Sequence, residues 1–111
     1  MTRVFKTRTF TRLMRKSGLT DTALCTAVVE MAHGLIDADL GGGVFKKRVA
    51  LPGHGKRGSA RTLLATNLGS RWFFMFGYEK NARADITPNE RDALRMLASD
   101  LLNMGAGGLH A

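Results

Sequence analysis

The chain has 111 residues, 44% of them hydrophobic, and sets 17 Lys and Arg against 9 Asp and Glu for a formal charge of +8. That length suits one domain around one core, and no run approaches the ~18 consecutive apolar residues that a membrane helix needs. A single cysteine excludes an internal disulfide, and no apolar segment follows the basic Met1–Lys6 as a secretory signal would require, so a soluble protein of the reducing cytoplasm is expected.

Val4–Lys6 is short and β-prone and reads as a first strand. Phe10, Leu13 and Met14 follow at helical spacing, with Arg8, Arg12, Arg15 and Lys16 on the remaining face and Gly18 as the stop. Thr20 is the N-cap of a second helix and Asp21 complements its dipole. Leu24, Val28, Met31 and Leu35 form its apolar stripe, in which Cys25 is expected to pack as a small hydrophobe. The two helices make an αα-hairpin, one face of which must be buried. Asp39–Gly43 reads as a loop, after which the apolar period becomes two. Val44–Leu51 is a strand ended by Pro52-Gly53, with Lys46 and Arg48 on one face and Phe45, Val49 and Leu51 on the other. Ala60–Leu68 and Arg71–Tyr78 are two more strands, joined by a turn at Asn67–Ser70, and the doubly apolar run Trp72–Phe76 belongs inside the sheet. Thr87-Pro88-Asn89-Glu90 opens a last helix with an N-cap, a proline at N1 and a capping box; Leu94, Leu97, Ala98, Leu101 and Leu102 are its stripe. The expected fold is α+β in the order β-α-α-β-β-β-α, two N-terminal helices and a C-terminal helix packed on an antiparallel sheet. Residues 1–102 are expected to form the domain, and 103–111 a glycine-rich flexible tail.

Charge is unevenly spread along this framework. Arg3, Lys6, Arg8, Arg12, Arg15 and Lys16 all precede the first acid, Asp21. Between Asp39 and Glu79 lie Lys46, Lys47, Arg48, Lys56, Arg57, Arg61 and Arg71, with no acid among them. Such a field repels itself unless a polyanion or an acidic partner neutralises it, and nucleic acid is the usual polyanion. Pro52–Ser59 imitates a phosphate loop, but Ala50 stands where its first glycine belongs and Arg57 follows Lys56 where a hydroxyl is needed. His33, His54 and His110 lie on separate elements without ligand spacing, and Asp37 and Asp39 alone are too few oxygens for a hard cation. Ser59 has no His–Asp partners for a hydrolase triad. What is left is the basic face. Lys46 and Arg48 sit about 7 Å apart on it, and Arg61 opens the next strand.

Phe5-Lys6, Arg15-Lys16, Asp37–Gly42, Lys46-Lys47-Arg48, Gly53–Gly58, Arg61-Thr62-Leu63 and Phe73–Asn81, taken as an ordered set over about Val4 to Leu102, resemble a branch of the RelE/HigB-type toxins of the RelE/ParE toxin–antitoxin superfamily. The resemblance implies helices over an antiparallel sheet, and a toxin of a type II module held inactive by a cognate antitoxin. It also implies a metal-independent endoribonuclease that cuts mRNA, on the ribosome as a rule, and so blocks translation. Two positions depart from the branch. Gly58-Ser59-Ala60-Arg61 stands where Gly-Gly-aromatic-Arg is usual, and Ala82-Arg83 where Glu-Arg is frequent.

On that resemblance the catalytic set is Lys46, Arg48, Lys56, Arg61 and Lys80, with Lys47, His54, Arg57, Tyr78 and Asn81 holding RNA and no metal or other cofactor involved. Cleavage through the 2′-hydroxyl builds negative charge on the phosphoryl oxygens, which guanidinium groups grip in pairs, so Arg48 and Arg61 fall to the scissile phosphate. Lys46, Lys56 and Lys80 are alternative general bases, since neighbouring cations disfavour the protonated form of a lysine. His54 is an acid–base candidate by type, and Tyr78 is either a stacking platform for a base or a core aromatic. Two other functions fit the same residues. One is a non-catalytic module that binds RNA or its antitoxin; the other is a ParE-like gyrase poison.

Overall fold

A computed structural model describes residues 1–51 and 58–104. β1 (Arg3–Lys6) leads directly into α1 (Arg8–Leu13), whose N-cap Thr7 accepts a hydrogen bond from the Phe10 amide at 3.1 Å. Gly18, at φ +81°, reverses the chain into α2 (Asp21–Ala32), capped by Thr20 as the sequence predicts. β2 (Ala38–Gly41), β3 (Val44–Ala50), β4 (Ser59–Thr66) and β5 (Arg71–Glu79) follow, and α3 (Pro88–Asn103) closes the described chain. α3 begins with the full capping box, Thr87 and Glu90 each accepting from the other's backbone amide.

The strands form one sheet in the order β1-β5-β4-β3-β2. It is mixed, not antiparallel throughout: β1 pairs parallel with β5, Phe5 opposite Phe73, while the other neighbours run antiparallel. No hairpin links β1 to β5; the chain reaches β5 only after the helices and three strands, so the alternation imposed by hairpins does not apply to this pair. A second correction concerns residues 39–43. Most of that glycine-rich segment is edge strand β2 and its turn, in which Gly41, Gly42 and Gly43 all take left-handed φ (+82°, +64° and +84°). Only glycine adopts that conformation without strain, so the composition of a loop here marks a tight reversal.

Each face of the sheet has its own core. Phe10 and Met14 of α1 and Leu24, Ala27, Val28 and Met31 of α2 pack on Phe45, Val49, Ala60, Leu64, Trp72 and Phe74. Close contact there depends on Gly77 of β5: a Cβ at that position would lie 2.9 Å from Met14 Sδ and 3.2 Å from Phe10 Cε1. On the opposite face Leu94 and Ala98 of α3 pack on Val44, Leu63, Ala65, Phe73 and Met75. Four residues expected in the helical stripes are outside the core, one of them Leu97 of α3, 36% exposed. Leu13 is 44% exposed because the six-residue α1 presents only Phe10 and Met14 to the sheet. Cys25 is exposed, turned about 100° from Leu24 on the helix. Leu35 lies beyond the end of α2 at Ala32. The described residues contain no helix long and apolar enough to cross a membrane.

Candidate functional site

Register places Arg48 opposite Arg61 and Arg61 opposite Tyr78, a single rung across β3, β4 and β5. The next rung is Lys46, Leu63 and Phe76. Both point to the face that carries α3, because strand residues two apart share a face and Leu63 packs beneath that helix. The apolar cluster joined by Leu94 and Ala98 of α3 reaches along the sheet from Val44, Ala65 and Phe73 to Tyr78 at one end of the rung. Arg48 is exposed and Arg61 half-buried, its Nη1 donating to Ser59 Oγ at 3.0 Å. Two guanidinium groups thus come side by side from adjacent strands without a carboxylate between them.

The segment from β5 to α3 supplies the rest. Lys46 Nζ bonds Asp85 Oδ1 at 2.8 Å, the same oxygen accepts from the Tyr78 hydroxyl at 3.4 Å, and the Ile86 amide donates to it at 2.7 Å. The Lys46 bond, followed by that from Ile86, holds the Asp85 carboxyl below its usual range. Tyr78 is pushed the other way: burial, then the nearby Asp85 charge, raise its phenol above 10.0. Arg83 lies with its guanidinium 5.4 Å from the Tyr78 ring centroid and 5.9 Å from that of Phe76. Its two terminal nitrogens bond both oxygens of Glu90, of which Oε1 also accepts from the Thr87 amide in the α3 cap; the Arg83 bond is the largest cause that depresses Glu90 to about 2. Lys46, Asp85, Thr87 and Arg91 line a cavity of about 110 Å³ at the start of α3.

The structure therefore brings together Lys46, Arg48, Arg61 and Tyr78. Lys80 and Asn81 are exposed at the end of β5, and the Lys80 amide bonds Ser59 O at 3.1 Å, beside the strand that carries Arg61. Lys47 is elsewhere. It projects to the α2 face, 7% exposed, and its Nζ bonds Leu35 O at 2.9 Å and Glu30 at 3.0 Å in the wall of a hollow of about 600 Å³. An RNA contact by Lys47 would therefore lie on the opposite side of the sheet from Arg48, because alternation along β3 sends neighbours to opposite sides. The Tyr78 ring is only 6% exposed with Arg83 over it, so a base could stack there only by displacing Arg83. His54, Lys56 and Arg57 lie outside the described residues.

Arg83 and Asp85 were missed as site residues. Arg83 had a signal, its place two residues after Asn81 in the quoted motif; Asp85 had none, since residues 80–87 follow no period. The departure at residue 60 proves remote from the rung: Ala60 is fully buried on the α2 face, so no side chain at that position could stack beside Arg61. Asp37 and Asp39 each accept from a backbone amide, of Arg48 and Gly41. Among the described residues no three His, Cys, Asp or Glu side chains are grouped as a metal site requires.

The molecule is thus a small mixed sheet with two helices on one face, one across part of the other, and Arg48 exposed beside a half-buried Arg61. The family model described as "RelE toxin of RelE / RelB toxin-antitoxin system" matches residues 2–111, and the chain belongs to this family, with an antitoxin as its partner. The match runs through the glycine-rich end that the sequence reading set apart from the domain at residue 102. A comparison with curated proteins finds no match.

Proposed function

We propose that this toxin is a metal-independent endoribonuclease that cuts mRNA in the cytoplasm, in association with the ribosome, and so blocks translation. The observation that carries the reading is the rung of Arg48 and Arg61 beside Lys46 on one face of the sheet. In the reaction the ribose 2′-oxygen bonds to the adjacent phosphorus as the P–O5′ bond breaks; one proton leaves the 2′-hydroxyl and one is delivered to O5′. Arg48 and Arg61 hold the phosphoryl oxygens as their charge grows. Tyr78, whose phenol is raised above its ordinary value, is protonated at neutral pH and so does not accept the 2′-hydroxyl proton, and the same shift makes it a weaker acid. Acceptance falls to Lys46, Lys56 or Lys80. Of these, Lys46 has a carboxylate as its near neighbour, the reverse of the cationic crowding on which a lysine base is argued.

The test is incubation of the purified full chain with mRNA in a metal chelator, with and without ribosomes. Cleavage is expected in the presence of ribosomes, and Arg48→Ala or Arg61→Ala is expected to slow it at least about 100-fold, the scale for losing one oxyanion donor, with unfolding temperatures near that of the unaltered chain. Intact RNA in every condition would leave a non-catalytic binding module. DNA damage signalling in place of translation arrest would point to gyrase.

A further inference from the structure

A second cationic surface lies on the other side of the sheet from this rung. Lys6, Arg8, Thr11, Arg12 and Arg15 line a hollow of about 380 Å³ over α1. Arg8 and Arg12 follow at i and i+4, about 6 Å apart along α1, and Arg15 lies just beyond the end of the helix at Leu13; all three are exposed. Among the described residues none of the three makes an ion pair or a side-chain hydrogen bond; the one acid in the first 29 residues, Asp21, is taken by Lys6 at 2.7 Å. Of these charges only Arg12, in the last turn, complements the dipole of α1. The helix has no acid in its first turn and carries Arg8 there, where the dipole disfavours a cation. Phe10 and Met14 anchor α1 to the α2 face of the sheet, opposite the face of Arg48 and Arg61, so one strand of RNA lying in the rung does not also lie in this hollow.

We propose that the α1 hollow is a second phosphate-binding surface, distinct from the cleavage rung, whose occupant is the backbone of folded, double-helical RNA. The inference rests on reading the chain as a protein that acts on RNA, and it adds a site that takes no part in cutting. The lining selects the ligand: its side chains are cations and one hydroxyl, and the exposed apolar residue of α1, Leu13, is not among them to anchor a protein partner. A row of guanidinium groups reads phosphate oxygens without regard to sequence. The two surfaces then divide the work, α1 holding a structured RNA while the rung receives a single strand.

The experiment uses the full chain carrying Arg61→Ala to prevent cutting, with and without Arg8→Gln, Arg12→Gln and Arg15→Gln together. The probes are a 20-base-pair RNA duplex and a short single-stranded oligonucleotide, each titrated over a range of KCl concentrations. The triple variant is expected to bind the duplex at least about tenfold more weakly at 0.1 M KCl and to lower the log–log salt slope by about 2 to 3, the release expected from three phosphate contacts. Single-strand binding should change less than about twofold, as should single-strand cleavage by the triple variant with Arg61 restored. Unchanged duplex affinity overturns the inference. Equal loss on both probes also overturns it, by showing one diffuse field in place of two surfaces. So does unchanged duplex binding accompanied by loss of binding to an acidic antitoxin peptide. Because duplex binding is measured without cleavage, failure of the nuclease reading leaves this result separately legible.

Discussion

At Asp85 a single carboxylate oxygen accepts from an ammonium, a phenol and a backbone amide, and this is what fixes Lys46 and Tyr78 relative to the arginine rung. The arrangement predicts a spectroscopic signature. Tyr78 is the one tyrosine of the chain, so ultraviolet titration reads its phenol without interference from another. Its pKa is raised by burial first and then by the Asp85 charge and hydrogen bond. Asp85→Asn removes the charge and should bring the phenol titration down toward 10 while leaving the burial contribution. An unchanged titration curve would mean that Asp85 is not seated against Tyr78. At this scale much of the site is legible in the sequence. Alternation along β3 puts Lys46 and Arg48 together and, by the same rule, sends Lys47 away; three consecutive cations in a strand cannot serve one surface. Asp85 was not legible because its role depends on a loop returning over a strand 39 positions earlier.

The start of α3 shows how an element boundary joins stability to the site. Glu90 closes the capping box through the Thr87 amide and, with both oxygens, holds Arg83 over Tyr78. The depression of Glu90 to about 2 from 4.5 sets the sign of its pH dependence. The folded protein binds a proton there less readily than the unfolded chain, so the stabilisation is complete above about 4.5 and is lost as pH falls through about 2. Glu90→Gln keeps a side chain able to complete the cap but cannot pair with Arg83. Its unfolding temperature should be lower at pH 7 and should fall less steeply than that of the unaltered chain between pH 4.5 and 2. Equal steepness in thermal melts across that window would place the acid sensitivity elsewhere. The cap was visible as Thr87-Pro88-Asn89-Glu90 because its signal is local. The parallel pairing of β1 with β5 was not, since nothing within either segment records a partner some 68 residues away. β2 was hidden for another reason: glycines that serve a turn at left-handed φ look, in one dimension, like a loop.

Over the whole molecule, cations exceed acids by eight, and pairing cannot remove the excess. Lys6, Lys46, Lys47 and Arg83 have carboxylate partners at 3.0 Å or less, while the α1 arginines and the Arg48–Arg61 rung have none among the described residues. The unshared charge lies on both faces of the sheet and is held together more tightly in the folded state than in the expanded chain. Salt screens exposed charges beyond about 8 Å at 0.15 M and affects the short pairs much less. Stability should therefore rise with salt, the unfolding temperature of the full chain climbing by a few degrees from 20 to 300 mM KCl. RNA affinity should move the opposite way over the same range, because each phosphate contact displaces counterions that salt puts back. A fold strengthened and a ligand released by the same added salt identifies the surplus as charge kept for a polyanion. If the unfolding temperature instead fell with salt, the attractive pairs would outweigh the repulsion, and charge density would no longer argue for nucleic acid.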